Sequence, residues 1–317
     1  MKPFPVLYLS DRINEILSKI VSIDIRDNIE SGVDPQIEYV DIDGILTDIA
    51  SIGSYKSLEE SMSHYSVRVS LAYFQSLWLM CEAALWTHDS MIARSDFLQL
   101  NDQQLKKFES MGKANPNSEL SYIASLVVGD EIDVVRNFEL INIIMSRKVA
   151  ESEMEELYQH NMRSQFGTYV NSLCVYAMSF ILLHELSHHD LGQDFTQEST
   201  LDDEINADDH AFWTLYSDLT AKEHTTAMHG VVCALTSLLF ISNPLAKDKN
   251  HPRPFERVFR YYHIALEENK KEKNFFRTIL FYWACYIANG ELVKIVCDNS
   301  KTMEEIESYL YNLENNV

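Results

Sequence analysis

Apolar positions recur at three- and four-residue spacing over most of this chain, which is the signature of helices with one buried face. Residues 58–89 follow that pattern, with Tyr73, Phe74, Leu77, Trp78, Met80, Cys81 and Leu85 as core candidates. A second helical pattern covers 130–161, where Leu140, Ile143, Ile144 and Val149 oppose a charged, solvated run at 151–156. The third, 168–191, is apolar almost all round between Leu173 and Leu183, as expected of a helix through the middle of a domain. Gly192 stands where its C-terminal cap belongs. Ser199 and Thr200 precede Asp202, Asp203 and Glu204, a hydroxyl cap and an acidic first turn that open a helix to about residue 217. Further helices are predicted at 222–241, 254–270, 274–288 and 302–312. The first sixty residues break the pattern. Residues 4–9 and 37–42 are candidate strands, the second alternating Ile37, Tyr39 and Asp41 against Glu38, Val40 and Ile42, and Asp11 caps a predicted helix through residue 20.

The expected fold is therefore mainly α, with short strands confined to the N-terminal part. A polar loop at 111–118 marks a candidate internal boundary. The expected organisation is a mostly helical region at 1–150, a candidate substrate-recognition lobe, and a helical catalytic region at 151–317. Scarce breakers, 9 glycines and 7 prolines in 317 residues, favour the same long-helix reading.

Charge narrows the function. A formal net charge of −22 repels phosphate backbones, so no nucleic-acid partner is expected, whereas a basic partner would be attracted. The five cysteines are widely spaced and form no CxxC pair, which fits reduced, buried thiols in a cytosolic protein. Residues 1–11 do not have the character of a secretory signal. Of three apolar stretches, 67–86 carries Arg68, Gln75 and Glu82, while 169–183 and 231–241 are short for a span. Core helices are expected there, in a cytoplasmic protein without a membrane partner.

The chemistry centres on His184-Glu185-Leu186-Ser187-His188. Helical residues four apart share a face, so the two imidazoles can converge on one ion while Glu185 takes a proton from a metal-activated water. A hydrolytic zinc site takes a third protein ligand, and Glu204, on the next predicted helix, is the candidate. Asp208, one turn on, can accept the free ring N–H of a ligand histidine, and Ala207 is small enough for close helix approach. His251-Pro252-Arg253-Pro254-Phe255-Glu256-Arg257-Val258 follows downstream.

This order, HExxH then ExxAD then HPxxxER, resembles the gluzincin metallopeptidases that include the CAAX prenyl proteases and the HtpX-like heat-shock proteases. It is most like the soluble phage-exclusion Lit peptidase family, whose type member is a prophage-encoded protease that cleaves a translation elongation factor during phage infection. The resemblance covers roughly residues 150–265. It implies a helical zincin-like core holding one Zn²⁺ on His184, His188 and Glu204, with Glu185 as general base. It also implies His251 near the metal, as oxyanion donor, substrate contact or reversible cap, and Arg257 bracing the ligand carboxylates. A protein substrate and a role in antiviral defence follow from the same likeness, and a toxin or defence effector held inactive until an activating trigger arrives is a further reading compatible with it. The absence of predicted membrane helices departs from the membrane members. Two alternatives stand beside this reading. One is a regulatory protease like the repressor-cleaving ImmA/IrrE group, against which no helix-turn-helix or basic segment stands out. The other is a non-enzymatic helical interaction protein stapled by structural zinc. His189, His210, His224, His229 and His263 are expected to be structural or surface histidines, and Tyr261 and Tyr262 are weak candidates as oxyanion donors.

Overall fold

A computed structural model describes residues 8–24, 36–40, 50–56, 63–97, 165–191, 200–217, 219–241, 251–268, 270–286, 290–298 and 300–314. Among these, nine helices surround and extend a small three-stranded sheet. The N-terminal part gives α1 (Ser10–Asp24), β1 (Gln36–Val40), β2 (Ala50–Lys56), β3 (Ser63–Ser70) and α2 (Leu71–Phe97). The remainder gives α3 (Gln165–Asp190), α4 (Leu201–Ser217), α5 (Ala221–Ile241), α6 (Pro254–Glu268), α7 (Lys270–Tyr286), α8 (Gly290–Cys297) and α9 (Met303–Glu314). The mainly α expectation holds.

The sheet order is β1-β3-β2, with β3 central, parallel to β1 and antiparallel to β2. Val67 pairs in register with Ile37 on one side and Ile52 on the other. Val67 and Val69 are buried two residues apart, and this strand period extends the core to the sheet. Here the sequence reading needs correction. The predicted helix at 58–89 starts only at Leu71, and 63–70 is strand. Two β-branched residues at period two favour the strand, and Ser70 ends it by capping α2, its Oγ accepting from the Tyr73 N–H at 3.3 Å. Tyr8 and Leu9, read as the end of a strand, form a 3₁₀ turn into α1, and Asp11 lies in that helix's first turn. Strand β2 and helix α8 were not predicted. The expected helix at 130–161, the loop at 111–118, the cap at Gly192 and most of the 4–9 strand lie outside the described residues.

Helix α3 is the axis of the fold, packed by α1, α2, α4, α5 and the sheet. It is long and apolar enough over Gly167–His188 to cross a bilayer by length and composition, yet 72% of its most apolar window is buried inside the protein. One core cluster runs from Ile13 on α1 through Val67, Trp78, Phe180, Leu235 and Phe259 to Leu310 on α9. Two indoles that enter it are satisfied: Trp78 Nε1 donates to Asn171 Oδ1 at 2.7 Å and Trp283 Nε1 to the Leu239 carbonyl at 3.1 Å. Cys81, Cys174 and Cys233 are buried free thiols, as expected, whereas Cys297 is exposed.

Helix α3 approaches α5 closely at Gly230. A Cβ there would lie 2.7 Å from Tyr176 Cβ and 2.8 Å from the Leu173 carbonyl oxygen. Backbone cannot yield to that overlap without separating the two helices. Gly230→Ala is expected to lower unfolding free energy by about 1–3 kcal/mol, measured by denaturant titration. An unchanged midpoint would mean that the helices are not so tightly opposed.

Candidate metal centre

Helix α3 carries His184 and His188 near its C-terminal end, on one face by their four-residue spacing. Burial of the preceding apolar turns fixes the helix, so the two rings emerge at a defined place. They meet edge to face with centroids 4.7 Å apart, and their Nε2 atoms are separated by 3.1 Å. Helix α4 brings Glu204 against them from its first turn. Its start is fixed by a capping box: the Thr200 N–H donates to Asp203 Oδ2 at 2.8 Å, and the Asp203 N–H donates to Thr200 Oγ1 at 3.3 Å. The cap is thus Thr200, one residue after Ser199.

Glu204 is buried, with Oε2 3.4 Å from His184 Nε2 and Oε1 3.5 Å from His188 Nε2. All three ligand atoms lie within 4.8 Å of one another. The spacing tests whether a metal fits. Ligands about 2.0–2.1 Å from a tetrahedral zinc stand about 3.3 Å from each other. The 3.1 Å between the two Nε2 atoms, and the 3.4 and 3.5 Å from them to the two oxygens of Glu204, lie close to that edge, and two imidazoles with one carboxylate form a donor set suited to zinc.

The surroundings favour positive charge at this point. Burial alone would depress the pKa of His184, but the carboxylates of Asp208 and Glu204 outweigh it and push it up to about 9. Burial likewise would raise Glu204, but His184 and His251 draw it below the ordinary carboxylate range. A field that holds a proton at His184 also attracts a divalent cation.

Asp208 lies 2.9 Å from His184 Nδ1, the ring nitrogen turned away from Glu204. It is almost fully buried, and Arg257 grips it bidentately, Nε to Oδ2 at 2.7 Å and Nη2 to Oδ1 at 2.5 Å. Burial tends to raise the Asp208 pKa, but Arg257 and His184 hold it below the usual range. His251 stands at the rim, about half-exposed, with Nδ1 3.2 Å from Glu204 Oε2. Glu185, half-buried, follows His184 on α3. The structure therefore brings His184, His188, Glu204, Asp208, Arg257 and His251 into one chain of contacts.

Sequence reasoning missed how α4 is held. Asp209 is gripped by Arg260 through one guanidinium edge, Nε to Oδ1 at 3.0 Å and Nη2 to Oδ2, and Tyr261 donates its hydroxyl to Oδ1 at 3.1 Å. Ser187, inside the HELSH motif, meets His210 Nδ1 at 2.9 Å while donating to the Leu183 carbonyl at 2.6 Å. The available signals were the Asp208-Asp209 doublet and an arginine one turn after Arg257. The oxyanion candidates Tyr261 and Tyr262 are both buried core residues. His224 stacks on Tyr216, His229 stacks on Phe275, and His263 lies 3.3 Å from Glu307 on α9.

A family model described as Peptidase U49 matches residues 67–276, about two thirds of the chain, and that span contains every residue of the site. No curated protein and no solved structure gives a match.

Proposed function

The chain belongs to the Peptidase U49 family, and we propose that it is a zinc-dependent endopeptidase using His184, His188 and Glu204 as metal ligands. The observation that carries this reading is the buried His184–His188–Glu204 cluster at tetrahedral spacing on an HExxH helix. When bound there, zinc would supply Lewis-acid activation of a water and of the scissile carbonyl. Three protein ligands suit a hydrolytic site, which keeps one position for water; a structural site takes four.

Glu185 is the general base in this scheme. It accepts the proton of the attacking water and delivers it to the departing amine nitrogen, so that peptide and water give a carboxylic acid and an amine, which at neutral pH stand as carboxylate and ammonium. Asp208 holds the His184 ring through Nδ1, and Arg257 holds Asp208. His251, half-exposed beside Glu204, is the residue proposed to contact substrate at the reacting carbonyl.

The likeness to the Lit peptidases extends the proposal to a cytoplasmic, triggered protease acting on a host protein such as a translation factor, with residues 1–150 contributing to substrate recognition. The test combines metal analysis with a survey of new protein N-termini in expressing cells. Wild-type protein is expected to hold about one zinc per chain and His184→Ala far less, and cleavage products should appear only with the former. Cleavage that persists in metal-free His184→Ala protein would overturn the assignment.

A further inference from the structure

The two carboxylates that follow each other on α4 are held from α6 by two arginines one turn apart. The inner pair, Arg257 with Asp208, is buried and reaches His184. The outer pair, Arg260 with Asp209, is part-exposed, with side chains 42% and 32% accessible, and plays no part in the scheme above. Tyr261 joins the outer pair from within the core. Its hydroxyl donates to Asp209, while its ring lies 5.0 Å from that of Phe212 on α4 and 6.1 Å from that of Phe180 on α3. Phe180 is one turn before His184, and Phe212 is two turns after Glu204. Tyr261 therefore sits where the helix carrying the histidines, the helix carrying the glutamate and the helix carrying both arginines meet.

We infer that Asp209, Arg260 and Tyr261 form a second clamp that fixes the rotation of α4 about its own axis and thereby sets the metal affinity of the site. The inference rests on the metal reading of His184, His188 and Glu204. Burial of Ala207, Ala211, Phe212 and Leu215 sets the rotation of α4 coarsely, and a single fork, Arg257 on Asp208, adds a directional polar restraint from one side only. Adjacent helical residues project about 100° apart, so a fork on Asp209 opposes that rotation from a second direction. The lever is long. A carboxylate about 5 Å from a helix axis moves about 0.9 Å when the helix turns by about 10°. Zinc ligands must stay within about 0.2 Å of their ideal distances. An ion pair this exposed adds little to global stability, so its contribution lies in register. The three residues are positioning residues, acting on the metal through Glu204.

The experiment titrates metal-free protein with Zn²⁺ against a chromophoric chelator and records the visible absorption of the Co²⁺ form. The variants are Asp209→Asn, Arg260→Gln and Tyr261→Phe. Each is expected to weaken zinc binding by roughly tenfold, the lower end of what outer supports of metal ligands contribute. The tetrahedral Co²⁺ bands should lose intensity, and metal-free melting should be unchanged. Adding Arg260→Gln to Asp209→Asn should cause no further loss, because both act through one carboxylate. Tyr261→Phe removes one oxygen and keeps the ring, so it decides the matter if another variant fails to fold. If wild type binds one zinc and all three single variants match its affinity, the clamp is wrong and the ligand assignment survives. Affinity losses that only follow a falling melting temperature would equally overturn it, since they mark a purely structural role. If wild type binds no zinc, the ligand assignment itself falls and the clamp falls with it.

Discussion

Glu185→Gln is expected to reduce peptide-bond cleavage by about 10²–10⁴-fold while zinc remains bound at about one ion per chain. The substitution keeps the size and polarity of the side chain and removes only its capacity to accept a proton. Glu185 is next to His184 on α3 but is not one of the three clustered ligand groups, so the metal site should persist. Activity measured on a substrate recovered from the N-terminal survey, together with metal content, separates the two effects. Loss of both metal and cleavage would show that Glu185 supports the ligands. Cleavage at the wild-type rate with full zinc would sink the proposed mechanism.

The site was legible in the sequence because its chemistry restricts both residue type and spacing. Two histidines four apart on an apolar helix can serve only a few purposes, and Glu204, Asp208 and Arg257 follow in an order that few alternatives reproduce. Their convergence also needs little long-range information, since α3 and α4 are consecutive helices. Features that depend on tertiary pairing were not legible. Asp209 and Arg260 are 51 residues apart, and each on its own looks like an ordinary charge on a solvated helix face. Strand β3 was absorbed into the helix that follows, because the apolar positions continue without a break from Val67 into α2 and two valines at period two are a short signal until pairing with β1 and β2 supports it. Helix α8, Gly290–Cys297, is eight residues long, too short for its period to stand out. The helix boundaries that were found depend on local caps, as at Thr200.

Arg257→Met is expected to be the most damaging change outside the metal ligands, lowering stability by about 3–5 kcal/mol. Asp208 is 1% exposed and takes two charge-assisted hydrogen bonds from this guanidinium. Methionine fills similar space but leaves the buried carboxylate without its principal counter-charge. The melting temperature should fall by roughly 10 °C. Pairing the change with Asp208→Asn should recover much of the loss, because a neutral side chain no longer needs that counter-charge. The pH dependence gives a further check. Burial raises the Asp208 pKa and Arg257 more than offsets it, so in wild type the folded value lies below the unfolded one. The stabilisation from the ionised carboxylate is then present above an unfolded pKa of about 4 and is lost as pH falls through the depressed folded value. In Arg257→Met the burial effect gains weight and the folded pKa moves upward, so protonation relieves the variant as pH falls. The stability gap between variant and wild type should therefore be widest near neutrality and narrow towards pH 4. A gap that is constant across that range would show that Arg257 contributes packing and not charge, and a variant that melts like wild type at neutral pH would remove it from the support of Asp208 and His184.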